Sequence, residues 1–540
     1  MSRANNRLGP WRRRGGAALL AVCGLLLGAC SSGGSGPTSA NAHTTPAPGT
    51  TGGDAAAVGG AARTALQPLP AATPSALLHY YRQKLGWRAC DGSFECATFK
   101  VPLDYAHPEQ GDLTLIADRK KATGGAPRAG SLVLNPGGPG GSGIAYLEGV
   151  AASFAAPVRA AYDLVGFDPR GVGRSDPVEC LSAPRMDAFA AADVTPDNAA
   201  ETATLVKEVR EFAAGCEQRS RRILPYVDTI AAARDMDVLR ALLGDDKLTY
   251  VGKSYGTYLG AAYAGLFPSR VGRMVLDGAL DPSLDARQAA LGQAAGFEVA
   301  WSAFAKDCVS RSGCPLGRTT AEAGTRLDAL FRSIDRTPLA TGSSRRLTEA
   351  LATTGVIQAM YADFLWPQLR TALKDAQQGK GAGLLALSDS YYDRRSDGGY
   401  GNLMYANMAV NCLDTPAPFS GPEQIQSAVA QFVRTSPHFG RAMAWMSLTC
   451  AYWPVHSTGR PHTIAAVGAP PIVVVGTTRD PATPYVWAKA LAAELSSGRL
   501  LTFQGDGHTA YGGRSDCIDT AVNTYLLEGQ APENGKVCSS

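Results

Sequence analysis

Residues 248–257, with the sequence Leu-Thr-Tyr-Val-Gly-Lys-Ser-Tyr-Gly-Thr, decide the fold of this 540-residue chain. An apolar, β-prone run ends at Val251, and a G-x-S-x-G pattern centred on Ser254 follows it directly. Residues 258–267 then read as a helix rich in small side chains. A strand, a tight turn and a helix in this order hold a serine hydroxyl clear of the backbone, where it can act as a nucleophile.

Chance is the alternative explanation of the pattern, because the chain contains 61 glycines. The strand before Ser254 and the helix after it favour the nucleophile. A serine alone is a poor nucleophile and needs a base and an oxyanion hole. The rest of the chain must therefore supply both.

Composition places the chain among ordinary globular proteins. It is 45% hydrophobic and 18% charged, and its length allows a large core and more than one domain. The net charge is +4, but residues 1–29 hold five arginines and no acid, which leaves 46 basic against 47 acidic residues in the remainder. Nothing in this balance argues for nucleic acid as a partner.

The N-terminus has the pattern of an export signal. Residues 12–14 are three arginines, and residues 17–29 form an apolar run too short to span a bilayer. Residues 27–30, Leu-Gly-Ala-Cys, resemble a bacterial lipobox, which implies cleavage after residue 29 and lipidation of Cys30. The alternative is an ordinary signal peptide that contains a cysteine. We expect an exported chain, held by lipid alone on the outer face of the cytoplasmic membrane, or secreted.

Ten cysteines remain once Cys23 leaves with the signal and Cys30 takes lipid. An exported protein meets an oxidising compartment, so we expect disulfides. Connectivity does not follow from sequence, but short loops favour neighbours. The expected pairs are Cys90–Cys96, Cys180–Cys216, Cys308–Cys314, Cys412–Cys450 and Cys517–Cys538. A zinc site is the weaker alternative, because the chain has no C-x-x-C pair.

Strand and helix patterns alternate along most of the chain, which predicts an α/β fold with a mostly parallel sheet flanked by helices. The alternation lapses over 283–465, which look helical, and resumes for what we take as the last two strands, 471–476 and 499–503. We read the helical part as a lid inserted into one domain. The predicted divisions are a signal peptide (1–29), a disordered tether (30–73), a first core segment (74–282), the lid (283–465) and a second core segment (466–540).

An acid and a histidine follow the last two of these strands. Asp480 comes after the first and His508 after the second, which completes the chain order Ser, Asp, His. In this set His508 takes the proton of Ser254, and Asp480 holds the imidazole tautomer and stabilises its cation. The other acids that compete for this role are Asp277, Asp506 and Asp516.

A glycine-rich loop follows the apolar strand at 131–134. Residues 135–143 read Asn-Pro-Gly-Gly-Pro-Gly-Gly-Ser-Gly, and so many glycines let backbone N–H groups face an oxyanion. The predicted oxyanion hole uses the N–H of Tyr255 and one from Gly137 or Gly138. The alternative is a plain flexible loop. In a second loop, at 168–175, we expect Asp168 and Arg170 to brace this loop instead of taking part in chemistry.

Several of these motifs together resemble the secreted tripeptidyl-aminopeptidase family of α/β-hydrolases, which is related to prolyl aminopeptidases. Residues 135–140 are similar to the H-G-G-P-G loop of prolyl aminopeptidases, with Asn-Pro in place of His. The other matching segments are 168–175, 252–256, 480–484 and 507–508, within a resemblance that spans about 76–538 and is weakest in the lid. The family implies a serine peptidase that releases short peptides from free N-termini, with no metal and no organic cofactor.

Two other functions remain open: a carboxylesterase or lipase with the same triad, and a non-catalytic surface-binding lipoprotein. A peptidase that reads free N-termini needs a carboxylate for the substrate amine, because an unpaired ammonium is costly to desolvate. Asp414 is the candidate, since it follows an apolar helical run beside Cys412. It could instead simply open the turn at 415–416. The other candidate acids of the lid are Glu298, Asp363 and Asp389.

Overall fold

The computed structural model describes residues 64–124 and 128–539. The signal peptide, Cys30 and most of the predicted tether lie outside the described residues.

The described residues form twelve strands and seventeen α-helices. The strands are β1 (Thr64–Ala65), β2 (Arg88–Ala89), β3 (Glu95–Pro102), β4 (Asp112–Lys120), β5 (Gly130–Asn135), β6 (Tyr162–Asp168), β7 (Leu248–Lys253), β8 (Val271–Asp277), β9 (His462–Thr463), β10 (Ile472–Arg479), β11 (Gly498–Asp506) and β12 (Lys536–Ser539). The helices are α1 (Leu78–Tyr81), α2 (Gly143–Val150), α3 (Ala156–Ala161), α4 (Ala183–Ala190), α5 (Ala199–Ser220), α6 (Thr229–Leu243), α7 (Tyr255–Leu266), α8 (Ala286–Val309), α9 (Thr320–Arg336), α10 (Glu349–Met360), α11 (Trp366–Gln377), α12 (Ala382–Tyr391), α13 (Leu403–Asp414), α14 (Pro422–Thr435), α15 (Gly440–Met446), α16 (Tyr485–Glu494) and α17 (Asp516–Glu528).

Ten of the strands form one sheet in the order β12-β11-β10-β8-β7-β5-β6-β4-β3-β2. Neighbours from β12 to β6 are parallel, and β4, β3 and β2 extend the sheet antiparallel. Successive side chains of a strand point to opposite faces. In β10, Val473 and Val475 therefore enter the core on one face and Val474 the core on the other. Both faces are covered, as expected for parallel strands, and the predicted α/β fold is confirmed.

The sheet has one strand more than expected after the lid. β12 adds to the far edge beside β11, so three strands of this sheet follow the lid instead of two. This strand is only four residues long and begins with a lysine, so it has no hydrophobic pattern that the sequence could reveal. The disulfide between Cys517 and Cys538 joins it to α17.

Residues 64–73, assigned to the tether from their composition, are attached to the core. β1 pairs in parallel with β9, and the N–H of Leu69 donates to the carbonyl of Leu266 at 2.9 Å. Arg270 donates to the carbonyl of Ala71 at 2.8 Å. Each of these contacts uses a backbone group of residues 64–73, and composition does not report such contacts. The predicted end of the tether at residue 73 was therefore about ten residues too late.

The five expected disulfides are all present with the expected partners. Cys90 and Cys96 lie with Asp118 at metal-ligand spacing, but the two sulfur atoms are already joined to each other. None of the helices in the described part of the chain is both long and apolar enough to cross a membrane.

Arg170 has a structural role, as predicted, but its side chain braces segments outside its own loop. Its guanidinium is 1% exposed and binds both carboxylate oxygens of Asp235 at 2.7 Å. Three backbone carbonyls, those of Pro102, Leu103 and Tyr226, accept its remaining N–H groups. A buried ion pair of this kind is strongly destabilised when one partner is removed, because the other charge is left unpaired.

We expect Arg170→Ala to lower the free energy of unfolding by about 3–5 kcal/mol, because Asp235 would remain buried without its partner. Arg311→Ala is the control, because its side chain is 57% exposed and its bridge to Asp307 lies at the surface. A surface bridge contributes about 0–1 kcal/mol. Urea unfolding of the two variants measures the difference, and equal losses would contradict the bracing role.

Candidate active site

Ser254 occupies a strained turn between β7 and α7. Its φ and ψ are 55° and −125°, a region that residues other than glycine rarely adopt. The N–H of Ser254 donates to the carbonyl of Asp277 at 2.9 Å, which ties the turn to the neighbouring strand β8. A side chain at Gly256 would place its Cβ 2.8 Å from Oδ1 of Asn135, so the second glycine of the motif is required for this close approach. The structure thus places Ser254 as the motif predicts.

Asp480 and His508 meet at the carboxyl edge of the sheet. Nδ1 of His508 lies 2.9 Å from each carboxylate oxygen of Asp480. The backbone N–H groups of Ala482 and Thr483 donate to Oδ1 of Asp480, each at 2.9 Å. The carboxylate is buried and held from two sides, so it fixes the orientation of the imidazole ring.

The other ring nitrogen of His508 faces a different environment. Nε2 is shielded from solvent and has no hydrogen-bond partner among the described residues. Buried polar atoms are nearly always paired, so this nitrogen, next to a histidine–carboxylate pair, calls for an explanation. The hydrogen bonds of catalytic groups are often long before substrate binds. This nitrogen is the atom available to exchange a proton.

Asp277, a competitor for the acid, holds the chain after His508 instead. Its carboxylate accepts the N–H groups of Ala510 and Tyr511 at 2.9 Å, and Lys253 lies 3.9 Å away. Burial raises the pKa of Asp277, and the nearby Lys253 acts in the opposite direction. These bonds give Asp277 a structural task beside the histidine.

The remaining competitors are committed elsewhere. Asp506 forms a bidentate pair with Arg479, at 2.5 and 2.7 Å. Asp516 is exposed in the first turn of α17. The geometry therefore favours Asp480 as the partner of His508.

The glycine-rich loop lies against the serine turn. A Cβ at Gly137 would be 2.9 Å from the nitrogen of Tyr255 and 3.0 Å from Cβ of Ser254. The N–H of Gly137 donates to Oδ1 of Asn135 at 2.9 Å, whereas the N–H of Gly138 has no partner within the described residues. Tyr255 is the first residue of α7, where an N–H lacks an intrahelical acceptor. Of the two predicted glycines, Gly138 is thus the one with a free donor.

The lid contacts three loops of the site: the loop that carries His508, the glycine-rich loop and the loop that carries Asp480. The carbonyl of Tyr361 accepts the N–H of His508 at 2.8 Å, and the two rings meet edge to face at 5.5 Å. Asn407 donates to the carbonyl of Pro139 in the glycine-rich loop at 3.1 Å. A Cβ at Gly296 of α8 would lie 2.5 Å from the carbonyl of Pro481, next to Asp480. Tyr361 and Asn407 belong to no motif, so the sequence offered no signal for either.

Asp414 is buried under the site. It is 6% exposed, and its two oxygens accept the N–H and the hydroxyl of Thr229 at 2.8 and 2.5 Å. The same Thr229 hydroxyl lies 2.5 Å from the hydroxyl of Tyr255. Both oxygens of the carboxylate are therefore already bonded within the protein.

The other lid acids also have partners. Glu298 accepts from Ser436 at 2.8 Å, Asp389 binds Arg345 at 2.7 and 2.8 Å, and Asp363 meets Arg514 at 3.2 Å. Asp363 differs from the rest, because its side chain is 48% exposed. It also lies two residues after Tyr361, which contacts His508.

Comparison with known proteins of similar sequence identifies the family of this chain. A family described as TAP-like protein matches residues 436–538. Serine protease Hip1 of Mycobacterium tuberculosis is 40% identical over 460 residues, 83% of this chain and 88% of that protein. Carboxylesterase B of the same organism is 37% identical over 539 residues, 98% of this chain and 99% of that protein. Tripeptidyl aminopeptidase of Streptomyces lividans is 36% identical over 477 residues, 85% of this chain and 87% of that protein. The chain therefore belongs to the tripeptidyl-aminopeptidase-like family of α/β-hydrolases.

Proposed function

We propose that this protein is an exported serine aminopeptidase that releases short peptides, tripeptides among them, from free N-termini. The observation that carries this proposal is the bonding of the two ring nitrogens of His508. Its Nδ1 is bound to Asp480 on one side, and its Nε2 is unpaired on the other. With Ser254 held in a strained turn, this set supports acyl transfer.

The first half of the reaction forms an acyl-enzyme. Oγ of Ser254 attacks the carbonyl carbon of the scissile bond while Nε2 of His508 takes its proton. The carbonyl oxygen becomes an oxyanion, and the N–H groups of Gly138 and Tyr255 donate to it. When the intermediate collapses, His508 gives the proton to the leaving amine, and the released peptide keeps its new N-terminus. Asp480 stabilises the imidazolium throughout.

The second half releases the short peptide. Water attacks the ester at Ser254, His508 takes a proton from the water, and a second oxyanion forms in the same place. Collapse breaks the ester bond and returns the proton to Oγ of Ser254. The enzyme then regains its starting state without any group outside this set.

The likeness to tripeptidyl aminopeptidase supports a peptide substrate, and the three contacts of the lid support a covered site that admits one end of a chain. Carboxylesterase activity is the second candidate, because the relative of that name aligns with 98% of this chain. Turnover of free tripeptidyl anilides, N-acetylated tripeptidyl anilides and short acyl esters separates the two. A peptidase cleaves the free anilides best, whereas hydrolysis of the esters alone would favour the esterase.

Amine recognition by a lid carboxylate is part of the proposal. Asp414 was the candidate from sequence, but burial raises its pKa to about 7, and both its oxygens are bonded to Thr229. These features support a structural role for Asp414. Asp363 is the most exposed of the four acids, and its one ion pair within the described part of the chain is with Arg514. We therefore favour Asp363 for the substrate amine.

Ser254→Ala and His508→Ala should each lower kcat by on the order of 10⁴-fold, and Asp480→Asn should cause a comparable loss, because each removes one member of a unit. Asp277→Asn is the matched acid control and should lose far less. Steady-state kinetics on a tripeptidyl anilide measures all four variants. Near-normal kcat in the Ser254 or His508 variant would refute the triad. A larger loss of kcat in the Asp277 variant than in the Asp480 variant would identify Asp277 as the acid of the triad.

Wild-type enzyme should cleave free tripeptidyl anilides far better than their N-acetylated forms, because acetylation removes the charge that a carboxylate would pair. Asp363→Asn should reduce this preference about 10-fold, mainly through kcat/KM, since a hydrogen bond to a charged group contributes about 1.5–3 kcal/mol. Asp414→Asn should leave the preference in place.

Equal turnover of free and acetylated substrates by the wild type would end the aminopeptidase proposal. If only the Asp414 variant lost the preference for free substrates, Asp414 would be the residue that binds the substrate amine.

Asp414 should also make stability depend on pH. The unfolded carboxyl loses its proton near pH 4, whereas the folded one keeps it to about pH 7. The folded state therefore binds the extra proton in this window, and its stability falls as pH rises from about 4 to about 7. Asp414→Asn removes this loss, so its Tm relative to wild type should be higher at pH 8 than at pH 5. The same substitution at the exposed Asp397 controls for net charge, and a pH-independent difference at Asp414 would contradict the assignment.

We further propose that the mature protein is anchored by lipid at Cys30. Residues 27–30 support this, and the oxidised cysteines fit an exported chain. Cys30→Ser should abolish covalent lipid, because the thiol is the acceptor. Mass spectrometry of the mature chain measures this, and a lipidated Cys30→Ser variant would reject the anchor.

A further inference from the structure

The side chain of Asn135 sits between the two halves of the proposed oxyanion hole. Asn135 ends β5 and stands opposite Gly252 of β7, the strand that leads into Ser254. It is 1% exposed. The glycine-rich loop begins at the next residue, so Asn135 lies where this loop and the serine turn meet.

The amide oxygen of Asn135 determines which glycine N–H remains free. Oδ1 accepts the N–H of Gly137 at 2.9 Å, so that N–H points back toward its own strand. Gly137 adopts a φ of 90°, which lets the next peptide turn the other way. The N–H of Gly138 is then the first of the loop without a partner among the described residues.

The same oxygen, Oδ1 of Asn135, also lies against the turn that carries Ser254. A Cβ at Gly256 would be 2.8 Å from Oδ1 and 2.9 Å from the carbonyl oxygen of Asn135. Gly256 directly follows Tyr255, whose N–H is the other proposed donor. One side chain therefore holds Gly137 by a hydrogen bond and packs against the backbone beside Tyr255.

We propose that Asn135 is a positioning residue that sets the N–H of Gly138 relative to the N–H of Tyr255, so that both reach one oxyanion. The inference rests on the proposed serine-hydrolase function. An amide suits the task, because it accepts a hydrogen bond without a negative charge next to the developing oxyanion. Preorganised donors stabilise a transition state only when they already face the position of the charge.

A peptidyl boronic acid tests the geometry in the wild-type enzyme. Oγ of Ser254 adds to boron, and the anionic tetrahedral adduct places one oxygen in the hole. A crystal structure of the adduct should show this oxygen accepting from Gly138 and Tyr255, with the N–H of Gly137 still on Asn135. An oxygen bonded to the N–H of Gly137 would overturn this inference alone. Absence of any adduct at Ser254 would overturn the proposed function and this inference with it.

Two variants test the energetic role. Asn135→Ala should lower kcat by about 10- to 100-fold, less than the full loss of a donor, with KM changed by less than about threefold. Its affinity for the boronic acid should fall by a factor similar to that in kcat/KM. The control is Asn402→Ala, because the Asn402 side chain also accepts a backbone N–H, that of Gly173 at 2.8 Å, but in the neighbouring loop.

The control separates positioning from plain stability. Asn402→Ala should lower Tm with less than about a threefold change in kcat. If Asn135→Ala behaves in the same way, with kcat and boronic acid affinity near those of wild type, the positioning role is wrong.

Discussion

The strained backbone at Ser254 is the constraint on which the rest of the site depends. Its φ of 55° is tolerated only because neighbours hold the turn from several sides. The carbonyl of Asp277 accepts its N–H, and Gly256 allows Asn135 to lie against the turn. The loops that carry Asp480 and His508 follow β10 and β11 at the same edge of the sheet, so one set of strand ends carries all three residues of the proposed triad.

The features that could be predicted from sequence are those with local patterns. Buried parallel strands appear as apolar runs, and the residues directly after them fall at one edge of the sheet. For this reason the sequence alone predicts that Ser254, Asp480 and His508 lie near one another. The five disulfides could be paired because each closes a loop between neighbouring cysteines. The structure joins His508 to Asp480 and forms all five expected disulfides.

Contacts between distant segments could not be predicted. Tyr361 lies in the lid, nearly 150 residues before His508, and its carbonyl binds the histidine without any motif. Asp414 looked available because it follows an apolar helix, yet its partner Thr229 lies 185 residues away. The edge strand β12 depends on backbone pairing alone. Three-dimensional packing decides each of these, and no local pattern records it.

Reaction with a fluorophosphonate probe tests the central claim most directly, because the probe phosphonylates a serine that is activated by a base and an oxyanion hole. We expect one phosphonyl group per chain, and peptide mapping should locate it on Ser254. Denaturation before treatment should abolish the reaction, because activation depends on the folded site. A folded wild-type protein that stays unlabelled, or that is labelled at another serine, would contradict the account.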